Sequence, residues 1–419
     1  MVANLTTPLI GIVSTTAIGR LGDATLLGGV AMASVIFDCL FWLFAFLRMS
    51  TLAFTAQSIG AGESKDIGLH LLRGLAVAAL IGTALIALQL PLATLVLRAM
   101  GGSDGVTQAA RTYLVIRIWS APLALANYAV LGWLIGQARA TLALSVQIAI
   151  NLVNMAATVT LVLWFDFGIA GAATAAVIAE TTGVAIGVLI ALRSSRGTFD
   201  VSIAELLDRT ALMHMLTVNR DIMIRTAALI SVWLFFTAQG ARAGDVALAA
   251  NAVLNNFLLV SAFFLDGLAN AAEQLCGQAL GARDRGAFST ATRLVIAWGF
   301  AFAVAVTICF SLFGPALIDM MTASVDVRRG ARAFLWFVAA SPLLAVFAFA
   351  FDGVYIGATW ARDMRNLMAA SLVIFFAAWL ALRPFGNAGL WGALLAHYAA
   401  RGGLEALRYP ALLKASFKT

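Results

Sequence analysis

The chain carries the same apolar unit twice, and this repeat restricts its fold more than any other feature. Gln57-Ser58-Ile59-Gly60-Ala61 returns as Gln278-Ala279-Leu280-Gly281-Ala282, a shift of 221 positions (278 − 57). Gly132-Trp133-Leu134-Ile135-Gly136 returns as Gly353-Val354-Tyr355-Ile356-Gly357 at the same shift of 221 (353 − 132). Phe167-Gly168-Ile169-Ala170-Gly171 returns as Phe385-Gly386-Asn387-Ala388-Gly389 at 218 (385 − 167). Three anchors in order at nearly one offset indicate duplication. Each copy is built from apolar runs near the ~20 residues that cross a bilayer core. Paired repeats of that kind place a binding site between two halves that rock against each other, which makes transport the leading reading.

Hydrophobic residues make up 62% of the 419 residues and charged residues 11%, against roughly 25% charged in an ordinary soluble protein. A soluble domain of this length needs more polar surface, so the expected class is an all-α polytopic membrane protein. The net charge of +7 does not point to nucleic acid; the basic residues fall in short connections, where they orient the helices. Cys39, Cys276 and Cys309 lie in apolar segments without metal-ligand spacing and read as small core residues. His70, His214 and His397 are too scattered for a zinc site. No cofactor is expected: Gly60-Ala61-Gly62-Glu63 follows a helix and lacks the strand and lysine of a phosphate loop. No cleavable leader is expected ahead of the first apolar stretch, and that stretch, Asn4 to Ile18, is short, which suits either a late start of the recorded sequence or a real short first span.

Apolar runs between charged or turn-rich breaks give about twelve spans: 3–18, 27–50, 70–97, 109–135, 140–163, 168–192, 221–241, 246–275, 291–318, 331–357, 365–383 and 388–408. They divide the chain into an N-terminal six-helix lobe (1–192), a cytoplasmic inter-lobe linker (193–220), a C-terminal six-helix lobe (221–408) and a short basic tail (409–419). Within the linker, 201–216 is expected to form a short amphipathic helix at the membrane surface. Six spans per half bring both copies into the membrane in the same direction. With the N-terminus inside, cytoplasmic segments hold fifteen Lys and Arg against eight on the other side. That bias puts both termini in the cytoplasm, Arg73 among the cytoplasmic loop charges.

An ionisable side chain at mid-bilayer costs at least ~2.5–3.5 kcal/mol on insertion scales, so each needs a partner, a wet cavity or a function. The first half keeps Asp38, Arg48, Arg117 and Glu180 in its spans; the second keeps Asp221, Arg225, Asp266, Glu273, Asp352 and Arg401. Asp221 and Arg225 are spaced i, i+4 and are expected to pair on one helix face. Asp266 and Glu273 lie seven apart, on one stripe two turns apart with no cation between them. Two carboxylates facing one interior suit proton coupling, and the same oxygens could hold a Na⁺. Asp352 precedes Gly353 and Gly357, small residues that admit a neighbouring backbone. The ion-coupling candidates are therefore Asp352, Asp266, Glu273, Asp38 and Asp221, with a Na⁺ site expected, if anywhere, at Asp352 and Asp266. The substrate-cavity candidates are Asn251, Asn255, Tyr355, Phe263, Gln57 and Gln278, amides and aromatic rings on the same spans.

Phe41-Trp42-Leu43-Phe44-Ala45-Phe46-Leu47-Arg48-Met49, followed by Thr55-Ala56-Gln57, resembles the second-span signature of multidrug and toxic compound extrusion (MATE) transporters of the DinF-like branch. So do Asn219-Arg220-Asp221-Ile222-Met223-Ile224-Arg225-Thr226, Leu265-Asp266-Gly267-Leu268-Ala269-Asn270-Ala271-Ala272-Glu273 and Phe351-Asp352-Gly353-Val354-Tyr355-Ile356-Gly357. The resemblance covers essentially the whole chain. It implies two six-helix lobes around a central cleft and export of organic, often cationic, compounds in exchange for H⁺ or Na⁺ by a monomer in the inner membrane. It also implies that Asp352 matches a tenth-span acid assigned to cation coupling. The family's first span usually reads Gly-Leu-Val-Asp-Thr; here it reads Gly11-Ile12-Val13-Ser14-Thr15, so Ser14 stands where an acid is expected. A serine does not titrate near neutral pH, and coupling is expected to shift to the second-half acids or to Asp38. The alternatives are a flippase for lipids or lipid-linked precursors and a non-transporting receptor or scaffold. An intramembrane enzyme is disfavoured by the scattered histidines and the repeat.

Overall fold

The computed structural model describes residues 2–194 and 201–418, and among them there are helices and short connections but no strand. The first half holds α1 (Val2–Gly19), α2 (Ala24–Leu43), α3 (Phe46–Ala61), α4 (Ser64–Ala87), α5 (Gln89–Met100), α6 (Asp104–Arg117), α7 (Ala121–Gly136), α8 (Ala140–Val159) and α9 (Gly168–Ser194). The remainder holds α10 (Ile203–Leu206), α11 (Arg209–Arg242), α12 (Asp245–Gly281), α13 (Arg285–Met321), α14 (Val325–Gly357), α15 (Ala361–Leu382) and α16 (Asn387–Ser416). The pairs α2–α3, α4–α5 and α6–α7 follow each other with breaks of at most three residues, so the described helices make twelve long stretches besides α10. Ten of these are long and apolar enough to cross a bilayer. The break before α7 is a short 3₁₀ turn with Pro122 in the first turn of the new helix, where its missing N–H has no partner to lose.

The described chain forms two compact units, Met1–Met215 and Leu216–Thr419. Their boundary falls inside α11, and the connection is shorter than the 193–220 linker read from sequence. α9 continues to Ser194 and α11 begins at Arg209, because Ala211, Leu212, Met213, Met215 and Leu216 are good helix formers and outweigh the flanking charges. Arg196 and Asp200 of the expected linker lie outside the described residues. The 201–216 stretch is not one amphipathic helix: it holds the four-residue α10 and the start of α11. The basic tail also differs, since α16 runs through it to Ser416.

Arg73 is no loop charge. It is buried on α4 and donates to the carbonyls of Glu205 (2.6 Å) and Leu206 (3.3 Å), satisfying orphan acceptors at the end of α10. At the other end a capping box links Ser202 and Glu205. These reciprocal hydrogen bonds hold the Glu205 carboxyl below its ordinary value.

The repeat is visible atom by atom. A Cβ at Gly132 of α7 would overlap the carbonyl oxygen of Arg48 on α3, and one at Gly353 of α14 would overlap that of Ala269 on α12. Gly136 meets Leu52 as Gly357 meets Glu273. All four pairs are related by the 221-residue shift. Glycine at these positions lets two backbones approach where any side chain would separate them. Packing around them differs between the units. Trp133, Leu134 and Ile150 belong to one core of the first unit, whereas Trp391, Phe236, Phe257 and Phe375 belong to one of the second. Of the three cysteines only Cys276 is buried; Cys39 is half-buried and Cys309 exposed, so the reading of all three as core residues is corrected.

Candidate functional site

Five ionisable side chains of the second unit, Arg225 (α11), Glu273 (α12), Asp352 (α14), Arg401 and Glu405 (α16), are each between 0% and 5% exposed. Arg225 and Arg401 both form ion pairs with Oδ2 of Asp352. Glu405 lies one turn beyond Arg401, and neither of its carboxylate oxygens has a hydrogen-bond partner. The charges of Glu405, Glu273 and Asp266 all act on Arg225. The Tyr355 hydroxyl donates to the backbone carbonyl of Glu405 at 2.8 Å, fixing α16 against α14 at this level. Gly353 and Gly357 bring α14 close enough to α12 to put Asp352 and Glu273 into one interior.

Several expectations change here. Asp221 and Arg225 do not pair, although their spacing allows it; Arg225 is taken by Asp352, and Asp221 is held by Arg365 of α15 (2.7 Å) and by Arg220 (3.0 Å). Asp221 is therefore a helix clamp. Asp266 and Glu273 share a stripe but not an environment, since Asp266 is exposed and Glu273 buried. The two residues named for a possible Na⁺ differ as well, Asp352 being buried and Asp266 exposed. Both guanidiniums sit on Oδ2 of Asp352, and its buried Oδ1 has no hydrogen-bond partner. Among the described residues no group of three His, Cys, Asp or Glu is placed to hold a metal ion. Tyr355 is fully buried with its hydroxyl engaged, so it lines no cavity.

Asn251 and Asn255 do line a common cleft, of about 170 Å³, with Trp233, Phe236, Thr237 and Leu248. Their roles differ. Asn251 exchanges two 2.9 Å hydrogen bonds with Asn387 and accepts a third from Trp391 Nε1, so its side chain is committed to joining α12 to α16. The buried Oδ1 of Asn255 has no partner. Phe263, Gln57 and Gln278 are half-buried and outside this cleft; Gln278 accepts from Gln274 at 3.1 Å.

In the first unit Ser14 is half-buried on α1 and Asp38 is exposed on α2. The Asp38 charge acts on Arg117 without forming an ion pair. Arg117 donates to the Tyr113 hydroxyl at 2.6 Å and lies over the Phe37 ring at 4.9 Å. Glu180 accepts from Asn127 at 2.7 Å. This polar group has no counterpart of the Arg401–Glu405 pair. At the 218-residue shift those positions are Gly183 and Gly187, packed on Ile150 and Val130.

Sequence reading picked out Asp352, Arg225, Arg401 and Glu273 as intramembrane charges but passed over Glu405. Its signal was the i, i+4 spacing from Arg401, inside the 388–408 span.

Two repeated helical units that span the bilayer, one with a buried charge cluster and an aromatic–amide cleft, define a multi-pass membrane transporter. The MatE family model matches residues 1–160 and 222–379, and the chain belongs to that family. It is 36% identical to DNA damage-inducible protein F of Escherichia coli over 403 residues, 96% of this chain and 87% of that protein. It is 27% identical to a probable multidrug resistance protein NorM of Caulobacter vibrioides, over 81% of this chain and 74% of the relative. Its fold is similar to that of a MOP superfamily transporter from Pyrococcus furiosus, with a TM-score of 0.90 at 18% identity, covering 100% of this chain and 94% of the other.

Proposed function

We propose that this transporter is a secondary active antiporter of the inner membrane, with both termini cytoplasmic, exporting organic, often cationic and amphipathic, compounds in exchange for protons. The observation that carries the reading is the buried cluster in which two arginines share Asp352 while further carboxylates stand close by. Such groups are retained at mid-membrane for ion movement. Proton coupling is favoured over Na⁺ because two guanidiniums already sit on Oδ2 of Asp352 and repel a further cation. The duplication supports alternating access by movement of one repeat against the other, and the multidrug name of the Caulobacter relative supports a broad cargo. The half-buried Trp233 and Asn255 of the α11–α12 cleft suit such compounds. A phosphate-bearing lipid would call for free arginines, and Arg225 and Arg401 are engaged.

The test is substrate-triggered proton release from inverted vesicles, with ethidium as the probe cation, in the presence and absence of Na⁺. Dequenching of a pH dye without Na⁺, abolished by Asp352→Asn, is the expected result. Release that requires Na⁺, or none at all from correctly inserted protein, overturns the reading.

A further inference from the structure

The buried cluster does not balance. Arg225 and Arg401 supply two positive charges against the three carboxyls of Asp352, Glu273 and Glu405. An unmatched charge in a low-dielectric interior is costly, and the group neutralises itself by binding a proton where it can. Geometry says which group that is. Asp352 receives both guanidiniums on Oδ2, so that its charge is matched although its Oδ1 has no donor. Glu273 lies close enough for its charge to act on Arg225. Glu405 is 0% exposed, has no ion-pair partner, and offers two carboxylate oxygens with no hydrogen-bond donor. Among the described residues no group of three His, Cys, Asp or Glu is placed to hold a metal ion.

We propose that Glu405 holds the resident proton of this cluster, and that its loss switches Arg401 from Asp352 to Glu405. The inference rests on the antiport reading for its use in transport, not for the protonation itself. Arg401 and Glu405 are one turn apart on α16, a spacing at which the two side chains meet. With the proton in place, Arg401 pairs with α14 through Asp352. Once Glu405 releases that proton to water, its carboxylate competes for the same guanidinium, which stays protonated throughout. The α14–α16 link then loses its ion pair and keeps the Tyr355 hydrogen bond, which is made to the Glu405 backbone. The groups that face this exchange are Arg225 from α11, Asp266 and Glu273 from α12, Asp352 and Tyr355 from α14, and His397 and Arg401 from α16 itself.

The test is infrared spectroscopy of the full chain in lipid nanodiscs at neutral pH. The difference spectrum between the unsubstituted chain and Glu405→Gln is expected to contain a protonated-carboxyl band, and isotope-labelled glutamate is expected to shift it. A difference spectrum without that band overturns the proposal. Should Glu405→Gln fail to fold, labelling alone decides: an unsubstituted chain with no glutamate-borne acid band at neutral pH is equally fatal. In inverted vesicles Glu405→Gln should still bind ethidium, followed by its fluorescence, while ethidium-triggered proton release is lost; undiminished release overturns the switch. If the unsubstituted chain shows the glutamate band but no coupled release, the antiport reading fails and the proton on Glu405 stands.

Discussion

Arg225 of α11 and Asp352 of α14 form an ion pair in the interior of the second unit, 127 positions apart in sequence (352 − 225). Breaking one side of a buried pair leaves an uncompensated charge and costs about 3–5 kcal/mol, whereas replacing both sides with apolar groups is often close to neutral. Arg225→Met is therefore expected to lower thermal stability in detergent sharply. Arg225→Met with Asp352→Leu removes one charge of each sign but takes the Asp352 partner from Arg401, and should recover part of that loss while proton-coupled transport stays abolished. Recovery of transport in the double variant would show that the pair is only structural.

Gly353→Ala and Gly132→Ala should behave as a matched pair. Each introduces a methyl group where a neighbouring backbone carbonyl already sits, and overpacking of this kind costs about 1–3 kcal/mol. Both variants should show reduced melting temperatures. Gly403, whose Cβ would meet nothing within 4 Å, is the control, and Gly403→Ala should leave the melting temperature nearly unchanged.

The two asparagines of the cleft should separate stability from cargo handling. Asn251→Ala strands Asn387 and the Trp391 indole, at about 1–3 kcal/mol for the groups left unpaired. Asn255→Ala breaks no hydrogen bond of its Oδ1 and should leave stability alone. Its effect should instead be an altered ethidium affinity, roughly fivefold if one hydrogen bond of ~1 kcal/mol is involved. Equal stability losses in the two variants would refute this division.

Acid should loosen α10 before it affects the membrane helices. The folded Glu205 carboxyl lies below its ordinary value of 4.5 because Ser202 donates to it from backbone and hydroxyl. A depressed carboxyl stabilises fully above its unfolded value, and that contribution disappears as pH falls through the folded one. Amide exchange at 202–206 is expected to quicken over that acid window, and Glu205→Gln should remove the pH dependence. Faster exchange toward higher pH, beyond the intrinsic base-catalysed rate, would contradict it.

The repeat, the spans and the membrane class were legible because apolar run length and glycine spacing are local properties of the chain. So was the packing of Gly353 and Gly357 against another helix. The choice of ion-pair partners was not. Spacing alone joined Arg225 to Asp221, yet a flexible arginine side chain reaches whichever carboxylate the tertiary fold presents, and here that is Asp352. Glu405 escaped notice because it lies near the end of the last apolar run, where charges usually belong to a loop. Arg73 was misplaced for the same reason; only the fold shows that it terminates α10. Asn251 and Tyr355 were read as substrate-cavity residues, but whether such a side chain faces a cleft or a neighbouring helix is not encoded in its own helix.

Gly183 and Gly187 stand where the other copy has Arg401 and Glu405. The duplicated halves have thus become unequal partners: one supplies a tight, uncharged helix seam, and the other has exchanged that seam for ionic machinery. A chain assembled from two first halves would retain the glycine contacts that build a bilayer-spanning bundle and lack the exchangeable arginine altogether. Symmetry in this protein describes its ancestry and its walls; its engine is a single copy.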